Sequence, residues 1–168
     1  ERIDQWRTQG MTVPDNQIVV VGLNEPRLWP DPYIDLRANW QLWYDETMKR
    51  YDVIGRYNVA MMDECKVLGL RCGALNLSVG WPPNLRDDED SYWKPFEPVR
   101  DAILRGNHVL VLHEYWYSSG IADHWTWWAG RWQHCPWPNV PIVIGECGIE
   151  NRVDEGRMKA EGKDKGWQ

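Results

Sequence analysis

Four short runs of branched apolar residues, separated by segments with helical patterning, restrict the fold of this chain more than any other feature. They are 17–22 (QIVVVG), 71–79 (RCGALNLSV), 107–112 (NHVLVL) and 141–145 (PIVIG). The first, third and fourth are nearly continuous rather than alternating. A strand with one wet face alternates apolar and polar residues, whereas a strand buried on both faces reads as an unbroken apolar run. Parallel sheets covered by helices contain such strands. Between the first two runs, Leu36, Trp40, Trp43, Thr47, Tyr51, Ile54, Met61, Cys65 and Leu68 recur mostly in steps of three or four. That spacing predicts one long helix over Ile34 to Leu68, with Gly55 as a weak point. A shorter helix is expected from Glu97 to Leu104, with Val99, Ile103 and Leu104 inward and its start confined by Pro95 and Pro98. Trp125, Trp128 and Trp132 share helical spacing within Asp123 to Gln133 and read as core, while Glu1 to Gln9 reads as the end of an earlier helix. Strands alternating with helices in this way predict βα units and a parallel sheet in a single domain, 1–168. The last segment, 150–168, is charged and reads as loop or tail.

Charge and composition narrow the function classes. The net charge is −6 and the Lys and Arg residues are scattered, which excludes a nucleic-acid partner because phosphate binding needs clustered positive charge. No apolar run is long enough to span a bilayer, and the polar stretch Glu1 to Gly10 has no signal-peptide pattern. Cysteines at 65, 72, 135 and 147 have neither metal-knuckle nor CxxC spacing. Buried free thiols are expected, with Cys65–Cys72 and Cys135–Cys147 bridges left open. The acidic run Asp87 to Asp90 lacks a calcium-loop signature and reads as a solvated loop. His124, His134 and Cys135 have no ligand spacing either, so neither metal nor cofactor is expected.

Chemistry-bearing residues gather where the strands stop. The first run is followed by Asn24-Glu25-Pro26, the third by His113-Glu114-Tyr115-Trp116 and the fourth by Glu146-Cys147-Gly148. In α/β folds the carboxyl ends of parallel strands carry the chemistry. A carboxylate buried there without a partner would be costly, whereas two facing one cleft can divide acid/base and nucleophilic work. Glu114 reads as an outward-facing or ion-paired residue rather than a third catalyst. His113 has a second reading as a satisfied core histidine, as Glu25 has one as an exposed turn residue and Glu146 as an ion-pair partner. Aromatic usage is skewed, with 13 Trp and 7 Tyr against one Phe. Trp and Tyr combine a flat apolar face with a polar edge, which suits sugar rings as well as aromatic cores. Trp29, Trp81, Trp116 and Tyr117 follow strand ends, where stacking on sugar and plain packing are both open.

These motifs resemble the large clan A of retaining glycoside hydrolases built on the eight-stranded (β/α) barrel, which includes cellulases, mannanases and β-glycosidases. In that clan Asn-Glu-Pro ends the fourth strand, His-x-Tyr the sixth and a nucleophilic Glu the seventh. The chain reads VVVGLNEP at 19–26, VLHEYW at 111–116 and VIGECG at 143–148, with one further strand in the expected gap. The resemblance spans roughly residues 1–150. It implies that Glu25 is the acid/base and Glu146 the nucleophile of a double displacement on β-glycosidic bonds. It further implies that Asn24 binds the sugar 2-hydroxyl, that Tyr115 hydrogen-bonds the nucleophile and that His113 lines the site. Retention predicts carboxyl groups about 5–5.5 Å apart, against about 6.5–9.5 Å for inversion.

An eight-stranded barrel usually takes about 250 residues. The evident strands match only the fourth to seventh, so about half of a TIM barrel is expected here. The clan's early-strand Arg and its final sugar-stacking Trp have no counterpart. Such a half would exist within a longer chain or self-associate through its exposed sheet edges. An oligosaccharide or polysaccharide is the expected substrate, which weakly favours a secreted or extracellular setting. The alternatives are a carbohydrate-binding or scaffold protein that keeps the fold without turnover, and an unrelated α/β binding protein.

Overall fold

The computed structural model describes residues 18–26, 39–78, 82, 92–116 and 130–149. Strand β1 (Val19–Val21) leads to helix α1 (Trp40–Val67), strand β2 (Arg71–Leu77), helix α2 (Glu97–Gly106), strand β3 (Val109–Trp116) and strand β4 (Ile142–Ile149). All neighbouring strands are parallel in the order β1-β2-β3-β4, so every connection is a crossover, and the sheet curls as half of a barrel. The α/β class and the parallel sheet are therefore as expected. Among the described residues no helix is long and apolar enough to cross a membrane.

Both faces of the two inner strands, β2 and β3, are buried, whereas the edge strands β1 and β4 bury one face and leave Val21 and Val143 exposed on the other. Ile18, Val20, Cys72, Ala74, Leu110, Leu112, Ile142 and Ile144 belong to or pack against the core shared with the helices. The alternate residues Val19, Val21, Gly73, Val111 and Gly145 meet one another on the concave face. Helix α1 buries Trp43, Thr47, Tyr51, Ile54, Asn58, Met62 and Cys65, one stripe at steps of three or four. It ends at Gly69, which has φ +70° and no side chain to oppose that turn. Gly55 does not weaken the helix: its bare Cα lets the carbonyl of Pro95 lie 3.1 Å from where a Cβ would stand. Tyr51 stacks on Phe96 with centroids 4.9 Å apart, a contact worth about 0.5–1.5 kcal/mol beyond area burial. Helix α2 carries Pro in its first turn and ends on Asn107 at φ 55°. Leu104, expected inward, is 50 % exposed, and Ala102 takes the buried position instead.

Two other expectations change. The part of 123–133 that is described joins a 3-10 turn, Arg131–His134, rather than an α-helix. Trp132 is 49 % exposed and so is not core; Trp125 and Trp128 lie outside the described residues. The cysteines are free, but only Cys65 and Cys72 are buried, and Cys147 is exposed. The thiols of Cys65 and Cys72 share a hydrogen bond, and burial pushes Cys72 up to about 12.

Val111 sits between glycines on the two adjacent strands. A Cβ at Gly73 would stand 2.7 Å from one Val111 methyl, and a Cβ at Gly145 2.7 Å from the other. Curling the sheet brings its concave side chains together, and the paired glycines supply the room. Gly145→Ala should therefore cost about 1–3 kcal/mol in urea denaturation, as overpacking does. Adding Val111→Ala should return part of that loss, a coupling of more than about 0.5 kcal/mol. Strict additivity of the two changes would show that the methyl contact is not what limits this position.

Candidate functional site

The strands extend past their apolar runs, so two of the three motifs lie on strands rather than after them. β3 runs through His113-Glu114-Tyr115-Trp116 and pairs with β4 as far as Ile149. The register shifts between Leu112 and His113, so that Glu146, and not Gly145, lies opposite His113. A bulge of this kind re-aims a side chain without breaking the sheet. His113, Tyr115 and Glu146 consequently share the concave face.

Glu25 arrives from the other edge of the sheet. It adopts φ 44°, a left-handed conformation that is uncommon outside glycine and costs on the order of 1–3 kcal/mol. Its N–H donates to the carbonyl of Asn76 at 3.2 Å. Its Oε1 lies 2.9 Å from Nδ1 of His113, and Oε2 of Glu146 lies 3.6 Å from the same nitrogen. One oxygen of each glutamate and a His113 nitrogen all fall within 4.8 Å of one another. His113 is 1 % exposed, whereas the two glutamate side chains are 41 % and 43 % exposed and open to solvent. The pair thus combines a fixed dry side with an accessible one.

Tyr115 donates its hydroxyl to Oε2 of Glu146 at 2.8 Å. That bond, followed by burial, pushes the phenol up to about 12. Because the folded value lies above the ordinary one near 10, the neutral donor is the form the fold favours. Its contribution is complete below about pH 10 and is lost as pH rises through about 12. In an ultraviolet titration, Tyr115→Phe should remove a phenol that ionises near pH 12 in the parent. If the high-pH component survives the substitution, another tyrosine owns it and the Tyr115–Glu146 bond is weaker than drawn.

Asn76 belongs to none of the three motifs. Between Ala74 and Leu77 the β2–β3 register also shifts, with Leu75 at φ 70° and Asn76 at φ 45°. The Leu75 N–H is taken by Oδ1 of Asn58 on α1 at 2.8 Å. The bulge carries the Asn76 amide into the site, where Oδ1 lies 2.8 Å from Nε2 of His113. Its Nδ2 donates to the Leu23 carbonyl at 3.2 Å and to Oδ1 of Asn24 at 2.8 Å. Asn24 is exposed, with its amide oriented by this contact. A lone amide inside the apolar run ALNL was the available signal, since buried polar residues are the informative exceptions in such strands.

Glu114 lies on the outer face of the sheet, away from the pair, as expected of a residue that is not a third catalyst, and is buried there at 8 % exposure. It accepts the N–H groups of Gly130 at 2.9 Å and Trp132 at 3.5 Å, at the start of the 3-10 turn. A carboxylate there satisfies donors that the turn leaves free. Trp29 and Trp81 lie outside the described residues, as do Tyr117 and the side chain of Trp116. Glu25, His113 and Glu146 offer one nitrogen and two oxygens, a donor set that could also hold a divalent cation. Compared with family models, curated proteins and solved structures, the chain finds no match.

Proposed function

We propose that this protein is a retaining glycoside hydrolase acting on β-glycosidic bonds, with Glu146 as nucleophile and Glu25 as acid/base. The observation that carries the reading is the convergence of two carboxylates from opposite edges of the sheet, with oxygens within 4.8 Å. Retaining enzymes hold their carboxyl groups about 5–5.5 Å apart and inverting ones about 6.5–9.5 Å, and an approach of two oxygens to within 4.8 Å favours the closer arrangement. The curled four-stranded sheet fits the fourth to seventh strands of an eight-stranded barrel, and the pair sits at the carboxyl ends where barrel chemistry is found.

Each neighbour has a task in this mechanism. Glu146 attacks the anomeric carbon while Glu25 protonates the departing oxygen. Glu25 then takes a proton from water, which displaces Glu146 from the sugar. Tyr115 holds Oε2 of Glu146 and so fixes which oxygen attacks. His113 contacts Oε1 of Glu25 from the dry side. Asn24, exposed at the mouth, is placed to meet a sugar hydroxyl.

The test is to follow hydrolysis of β-linked glucan, mannan and xylan oligosaccharides by proton NMR. The β-anomer should appear first and mutarotate afterwards; initial release of the α-anomer would rule out double displacement. The donor set of Glu25, His113 and Glu146 favours one other reading, metal-assisted hydrolysis. Dialysis against a chelator separates the two: activity should be unchanged, whereas loss restored by added divalent cation would favour the metal.

A further inference from the structure

We infer that Asn76 is a positioning residue of this reaction: its amide dictates which nitrogen of His113 bears hydrogen, and thereby commits one proton to the contact between His113 and Glu25. The inference rests on the reading of Glu25 as acid/base, and concerns how that carboxyl group is kept supplied with its proton.

The hydrogen-bond network leaves little freedom. The Leu23 carbonyl can only accept, so the Asn76 atom facing it at 3.2 Å is the NH2 group. The amide oxygen is then the atom that faces Nε2 of His113 at 2.8 Å, and that nitrogen must donate. With Nε2–H committed, Nδ1 of the neutral ring carries a lone pair aimed at Oε1 of Glu25, 2.9 Å away. Two lone pairs do not face each other at that distance, so one proton lies between them, on the carboxyl oxygen or on the ring. Asn76 itself is 5 % exposed and held at φ 45°, where Asn is tolerated far better than most residues. Among the described residues, the other titratable groups near the contact are Glu146 from β4 and, bonded to Glu146, Tyr115 from β3, on which Cys147 also acts.

Two substitutions that both suit a left-handed backbone separate positioning from mere structure. Asn76→Gly removes the acceptor, so the ring is free to protonate at Nδ1 and donate to an ionised Glu25. The shared proton is then lost more easily, and the alkaline limb of the kcat/KM profile should move down by about half a pH unit or more. Asn76→Asp keeps an acceptor at Nε2 and adds negative charge, so the same limb should move up by a similar amount. Opposite displacements support the inference. A uniform loss of rate with the limb unmoved in both variants would overturn it and leave Asn76 a structural residue. Nitrogen-15 shifts of the His113 ring in the unmodified protein give an answer that depends neither on folding of the variants nor on turnover. Protonated Nε2 is expected, and a bare Nε2 with protonated Nδ1 would overturn the inference. If the ring shifts agree but no β-glycoside is cleaved, the glycosidase reading has failed and the Asn76–His113 assignment stands by itself.

Discussion

Glu146→Gly is expected to lower kcat on β-glycosides by on the order of 10^4- to 10^6-fold, and added azide should restore turnover as an α-glycosyl azide. The residue lies opposite His113 in the β3–β4 register, with one oxygen held by Tyr115, so it is aimed before substrate arrives. On the proposed mechanism, removing its side chain leaves a gap on the face from which the anomeric carbon is attacked. Azide fills that gap and forms the new carbon–nitrogen bond, while the leaving group departs with the proton of Glu25. The configuration is inverted once and no glycosyl-enzyme forms. Product analysis by NMR reads the outcome directly. A Glu146→Gly variant that kept more than a tenth of the parent rate without azide would remove Glu146 from the reaction.

The second large effect belongs to Glu25. Glu25→Ala should cost about 10^2- to 10^4-fold on substrates with poor leaving groups, the range general acid catalysis supplies. Aryl glycosides with strongly acidic phenols need little protonation, so their first step should be spared. The second step still lacks a base, and the glycosyl-enzyme should accumulate as a burst with a lowered KM. Azide now meets an intermediate already inverted once, and the product should be the β-glycosyl azide. The two variants therefore yield opposite anomers from one substrate. If both gave the same anomer, the assignment of roles to Glu25 and Glu146 would have to be discarded.

Much of this arrangement was legible in the sequence. The runs at 17–22, 71–79, 107–112 and 141–145 each mark a strand, because a dense run of branched apolar residues is a pattern that needs no partner to be recognised. Strand ends were less visible. β3 continues through His113 to Trp116 and β4 through Glu146 to Ile149, since the backbone ladder of a parallel pair forms whatever the side chains are. Glu25, His113, Tyr115 and Glu146, which the motifs contain, lie next to one another in the structure, with Glu146 brought opposite His113 by the β3–β4 register shift. Neither register shift could be read beforehand, because a bulge is a relation between two strands and no single run of residues contains it. The place of Asn76 in the site depends on the bulge that turns it inward, and the partners of Glu114 depend on the turn at Gly130 that it caps.

The short strand β1 has a practical consequence for anyone wishing to transplant this carboxylate. Val19–Val21 is three residues long, and the loop beyond it hangs from Asn76 on the neighbouring strand through the Glu25 N–H and the Leu23 carbonyl. The coordinates of Glu25 are thus encoded mainly in β2. A graft that moved only the Asn-Glu-Pro loop would arrive without its anchor, whereas one that carried 23–26 together with 74–77 would bring its own address. By the same logic, conservative swaps at Ile18 and Val20 should be silent, while a one-residue deletion between Ala74 and Leu77 would send the amide to the helix side and set the loop adrift.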